Sequence, residues 1–176
     1  RYRLRVDPDR HRFVFVVVPD YARSGGNFFL PVSGCLDDPS GVDFALSSDP
    51  PRRRKTFAFA QATDLHLRIG GKTALSQQVL HKELKGCLSG WNPAFVVLTG
   101  DLTDKGDVRS LRALRKAVMG LTCPAFPMFG GHDGVEERER AGVRPEDPRT
   151  RHYELVLGPT YYSFDWGGRH FVMFPN

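Results

Sequence analysis

Cysteine is scarce in this 176-residue chain: Cys35, Cys87 and Cys123 are odd in number, far apart and form no C-x-x-C pair. Neither a thiolate zinc site nor a disulfide framework is supported, and the redox compartment stays open. No apolar run approaches the roughly 20 residues that span a bilayer, which excludes a transmembrane reading. The first residues, Arg1-Tyr2-Arg3, include neither a starting Met nor a signal-peptide apolar segment. The chain stops at Phe174-Pro175-Asn176, just past a strand-like run, so both ends read as cut. There is no internal repeat, no low-complexity segment and no G-x-S-x-G elbow, and Ser89 and Ser163 have no triad context. Gly70-Gly71-Lys72-Thr73 looks like the end of a P-loop. That motif needs a glycine five residues before Gly71, where His66 stands, so the run reads as a turn and helix start.

Charge is present in excess of one sign. The formal net charge is +5, which favours anionic partners such as phosphate esters. The basic residues are scattered, and the dense cluster Arg52-Arg53-Arg54-Lys55 reads as a solvated linker. Without an aromatic-interleaved basic stripe, the composition weighs against nucleic acid as the partner. Oligomeric state is not legible.

Two textures divide the chain. Over residues 1–50, short apolar runs (Phe13 to Val18, Asn27 to Val32, Val42 to Leu46) alternate with turn-rich stretches. This is the pattern of a small antiparallel β unit, here part of a β-sandwich-like domain. Residues 51–55 read as a linker. From Thr56 onward strands and helices alternate. Phe57 to Thr63 is a strand candidate, and Thr73 to Leu88 a helix with Thr73 as N-cap. Ala94 to Thr99 is a continuous apolar run suited to a strand buried on both faces. A second helix places Val108, Leu111, Leu114 and Val118 inward, and Ala125 to Phe129 makes a third strand. The order βαβαβ implies an α/β fold with a parallel sheet. Tyr161 to Trp166 and His170 to Phe174, joined at Gly167-Gly168, read as a hairpin whose aromatic residues are core.

Each of the three parallel strands ends in residues that hold metals or move protons: Thr63-Asp64-Leu65-His66, Thr99-Gly100-Asp101 and Gly130-Gly131-His132-Asp133. Ligands bind at the carboxyl ends of strands in open α/β sheets. In extended chain Asp64 and His66 would point to one side and grip one ion together. Asp101 after Gly100 would project from a tight turn and bridge two ions. Mixed carboxylate and imidazole donors suit Zn, Fe or Mn better than Ca or Mg. A histidine followed by aspartate could protonate a leaving oxygen or hold phosphoryl charge.

These three blocks, with Gly100-Asp101-Leu102-Thr103-Asp104-Lys105-Gly106-Asp107 as the middle one, resemble the calcineurin-like metallophosphoesterase superfamily. Residues 56–176 carry the likeness. It extends to the hairpin, and in bacterial members a small β domain often precedes the catalytic one. The resemblance implies the N-terminal half of an α/β/β/α sandwich. It implies hydrolysis of phosphomonoesters or phosphodiesters by metal-activated water, with two divalent or trivalent ions (Mn, Zn or Fe). Asp64 and His66 would bind the first metal, Asp101 would bridge both, His132 would act on the leaving group, and Asp133 would orient His132. Asp104 is expected to be a turn or supporting residue, and His152 and His170 structural or surface residues. A periplasmic or secreted location is slightly favoured over a cytoplasmic one. Two departures stand out. Gly131 occupies the place of the family's metal-binding asparagine, and the later G-H and G-H-x-H blocks are absent. The first half-site is therefore encoded and the second is not, and the fragment by itself is expected to be inactive. The alternative is a non-catalytic metal- or phosphate-binding module.

Overall fold

The computed structural model describes residues 4–18, 22–24, 28–37, 42–48, 54–70, 77–135 and 149–175. By contact the chain divides into two units: Arg1–Lys55 with Tyr162–Val172, and Thr56–Tyr161 with Met173–Asn176. Of the linker read at 51–55, only Arg54 and Lys55 lie within the described residues.

The N-terminal part of the first unit is built from very short strands. β1 (Phe13–Phe15) pairs antiparallel with β3 (Phe29–Pro31), and β2 (Ala22–Ser24) pairs antiparallel with β4 (Leu46–Ser48). Phe13 and Phe28 both meet the Phe29 ring edge-on, at 5.7 and 5.3 Å, which gives the β1–β3 pair its apolar side. A short helix, α1 (Val32–Asp37), follows β3 directly. The sequence had suggested strand through Val32. The helix instead buries Val32 and Cys35, one turn apart on one face.

The second unit holds the parallel sheet. β5 (Ala60–Ala62), β6 (Val96–Thr99) and β7 (Ala125–Met128) lie in that order, all parallel, with β6 in the centre. The continuous apolar run explains the central position. Val96, Val97 and Leu98 are all buried, so both faces of β6 are covered. On the Val96–Leu98 face pack α2 (Gln77–Ser89) through Leu80, Leu84 and Leu88, and α3 (Val108–Met119) through Leu111, Leu114 and Val118. The N-cap of α3 is Asp107, whose carboxylate accepts from Ser110 N at 2.9 Å. The expected N-cap of α2, Thr73, lies outside the described residues. α4 (Arg151–Leu157) adds Tyr153, Val156 and Leu157 to the same core, and Tyr153 Oη donates to Pro127 O at the end of β7. On the other face Phe95 stacks on Phe59 and meets Phe126 edge-on.

β5 is shorter than the apolar run from Phe57 suggested. The chain does track the sheet earlier, with Ala94 N donating to Ala58 O. β8 (Tyr162–Trp166) and β9 (Arg169–Met173) form the expected hairpin. Gly167 (φ 58°) and Gly168 (φ 74°) supply the two left-handed positions its two-residue turn needs. Tyr162, Phe164 and Trp166 are buried, and Val18 bridges Phe164 within the first unit.

Candidate metal centre

All three loops that leave the carboxyl ends of β5, β6 and β7 meet at one end of the sheet. Ladder-like hydrogen bonds continue past the strands: Asp64 N donates to Gly100 O, His66 N to Asp101 O and Leu67 N to Leu102 O. Leu67 and Leu102 are fully buried and anchor both loops in the core. The first loop is not extended as expected. Asp64 (φ 55°) and His66 (φ 43°) are both left-handed, as is Asp101 (φ 49°). Such conformations at non-glycine residues cost roughly 1–3 kcal/mol each and gather at functional sites. The two side chains converge because the backbone coils at each of them, not because of strand alternation.

Close approach of the second and third loops depends on two glycines. Gly100 (φ 91°) would bring an added Cβ to 3.0 Å from Gly130 Cα, and a Cβ on Gly130 would collide with Asp101 N. The third loop then makes a 3-10 turn, Gly131–Asp133.

Asp64, His66 and Asp101 each offer a ligand atom, and these atoms all lie within 4.8 Å of one another. Asp64 is oriented by Thr63 Oγ1, which donates to its Oδ2 at 2.6 Å, while its Oδ1 lies 3.7 Å from His66 Nε2. Asp101 Oδ1 accepts from His132 N at 2.9 Å, which ties the central carboxylate to the third loop. Two carboxylates and an imidazole fit a borderline divalent ion, and three protein donors suffice for a catalytic-type centre. A second group, His66, Asp104 and His132, meets the same distance limit. Asp104 therefore stands among the candidate ligands, a place its position in a turn did not suggest. The bridge of Leu67 to Thr103 carries Asp104 back toward His66.

His132 and Asp133 part company. His132 is exposed, its Nδ1 lies 3.2 Å from Asp104 O, and its ring meets His66 edge-on at 4.9 Å. Asp133 is fully buried, and its carboxylate accepts from Leu102 N, Thr103 N, Thr103 Oγ1 and Gly130 N. Burial raises its carboxyl above the ordinary carboxylate value, against the lowering effect of those hydrogen bonds. The expected pairing of Asp133 with the His132 ring is thus replaced. The Asp104 carbonyl meets the imidazole, and Asp133 staples the second loop to the third.

Among the described residues, a Cβ added at Gly131 would meet only Asp101 Oδ1, at 3.9 Å. His152 sits on α4 with its Nδ1 3.1 Å from Gly106 O, and His170 pairs with Asp165 on the hairpin at 2.7 Å.

A parallel sheet whose strand ends gather carboxylates and imidazoles is an α/β architecture that could hold a metal ion at that end. The chain belongs to the calcineurin-like phosphoesterase family, whose model matches residues 57–174. It is similar to a protein of Arcobacter nitrofigilis named "Probable glycerophosphodiester phosphodiesterase GpdQ", 32% identical over 85 residues. That match covers 46% of this chain and 31% of the relative. It is also similar to a Synechococcus protein named "Probable cyclic nucleotide phosphodiesterase", 37% identical over 84 residues, covering 46% of this chain and 33% of the relative. The chain thus spans about a third of the length of the curated relatives it matches.

Proposed function

We propose that this chain supplies the first metal position and the leaving-group side of a site that hydrolyses phosphate esters. The convergence of Asp64, His66 and Asp101 within 4.8 Å at the sheet's carboxyl end carries this reading. Both relatives have phosphodiesterase names, which favours small phosphodiesters over monoesters as substrates. A divalent ion such as Mn, Zn or Fe supplies Lewis-acid activation of the phosphoryl group and of water.

The chain's own residues do the rest. Asp64, His66 and Asp101 hold the ion, and the fixed Asp101 Oδ1 sets the spacing between the second and third loops. The Asp104 carbonyl accepts from His132 Nδ1, which leaves Nε2 as the ring nitrogen through which His132 would exchange a proton with a leaving oxygen. Asp133 keeps His132 in place through the backbone.

A second reading rests on Gly131, which has no side chain to hold another ion or a phosphate: a phosphoesterase-like module that binds without turnover. Hydrolysis of bis(4-nitrophenyl) phosphate with added Mn2+, by the longest product containing this chain, separates the two. Asp101→Ala should lower the rate by about a hundredfold or more. An unchanged rate in that variant overturns the proposal, and metal binding with no turnover in the parent selects the module.

A further inference from the structure

The two three-residue donor groups share His66. We propose that His66, Asp104 and His132 form an alternative cation site for a borderline ion such as Zn2+. It competes with the Asp64–His66–Asp101 position and, when filled, engages His132. Four observations point there. The three ligand atoms lie within 4.8 Å of one another. In a tetrahedral site with metal–donor bonds of about 2.0–2.2 Å, donors stand about 3.3–3.6 Å apart, so these side chains would close by up to about 1.5 Å, within reach of rotamer adjustment, to share one ion. His132 Nδ1 is held 3.2 Å from the Asp104 carbonyl, the arrangement that leaves Nε2 with its lone pair directed away as a ligand. The Asp104 carboxylate already attracts positive charge, with Arg68 Nη1 3.5 Å from its Oδ2. Finally, Gly131 leaves His132 as the imidazole the third loop brings to this end of the sheet.

The two sets differ in consequence. An ion at the first leaves the His132 ring free, whereas an ion at the second takes it away from any leaving group. That consequence rests on the function proposed above; the binding itself does not. Excess Zn2+ would then occupy His132 and suppress turnover.

The test is a Zn2+ titration of the chain with 15N-labelled histidine, following the ring nitrogens by NMR. The His132 Nε2 resonance should move to its metal-bound position. Asp104→Ala and Asp104→Asn should each abolish that movement while His66 still responds. Arg68→Ala should tighten Zn2+ at His132 about two- to fivefold, by removing a competing surface cation. A His132 Nε2 that stays unmoved at saturating Zn2+, or that moves equally in both Asp104 variants, overturns the proposal. No turnover is read, so the outcome is distinct from failure of the proposed hydrolysis.

Discussion

Residues 96–99 and residues 46–48 are both β-strands, yet the first lies at the centre of a buried sheet and the second is exposed along its length. The same contrast runs through the two units. In the second, three strands share one layer of Leu and Val side chains from three helices, and the loops beyond them are themselves anchored by Leu67, Leu102 and Asp133. In the first, the three-residue strands β1 to β4 pair two by two, and Phe15 and Leu46 remain about two-fifths exposed. Rigidity in the second unit therefore extends past the strands into the site. A metal centre needs that, because left-handed backbone at Asp64, His66 and Asp101 persists only where its surroundings over-determine it.

Substitutions can break this contrast. The largest effect is expected at Asp133. Asp133→Ala strands buried donors on Leu102, Thr103 and Gly130, at a cost of about 3–5 kcal/mol. Urea unfolding should show that loss, and a loss under about 1 kcal/mol would mean that the loops hold without their staple. Leu98→Ala, in the centre of the sheet, should cost about 3 kcal/mol by opening a cavity among α2, α3 and β6. Phe29→Ala in the first unit should cost about 1 kcal/mol, since it removes edge-on aromatic contacts from a partly exposed pair. If Phe29→Ala proved as damaging as Leu98→Ala, the contrast between the units would fail.

Legibility in sequence follows the same divide. The apolar run ending at Thr99 and the helical spacing of Leu111, Leu114 and Val118 revealed β6 and α3, because burial leaves a periodic trace. The three strand-end blocks revealed which loops gather at the site. What was not legible has a common cause. A left-handed φ at Asp64 or His66 leaves no compositional mark when the residue is not glycine, and so the loop read as extended. The roles of Asp104 and Asp133 depend on which carboxylate faces inward, and adjacent residues in a turn do not announce that. In the first unit, α1 was missed because the turn-rich stretch after Val32 has too few apolar residues to set a helical period.

The smallest stability effect should come from Gly131→Asn, and it sharpens the comparison by acting on the site alone. Gly131 lies outside the left-handed region that Gly100 occupies, and among the described residues a Cβ added there meets only Asp101 Oδ1, at 3.9 Å. The change should thus leave unfolding free energy within about 0.5 kcal/mol of the parent, as for other unstrained surface sites. The asparagine would still place a carbonyl oxygen beside Asp101, adding a side-chain donor at a position that has none. Equilibrium dialysis against Mn2+ should then show higher metal occupancy at unchanged stability. If occupancy does not rise while the fold is intact, the missing donor at residue 131 is not what limits metal binding.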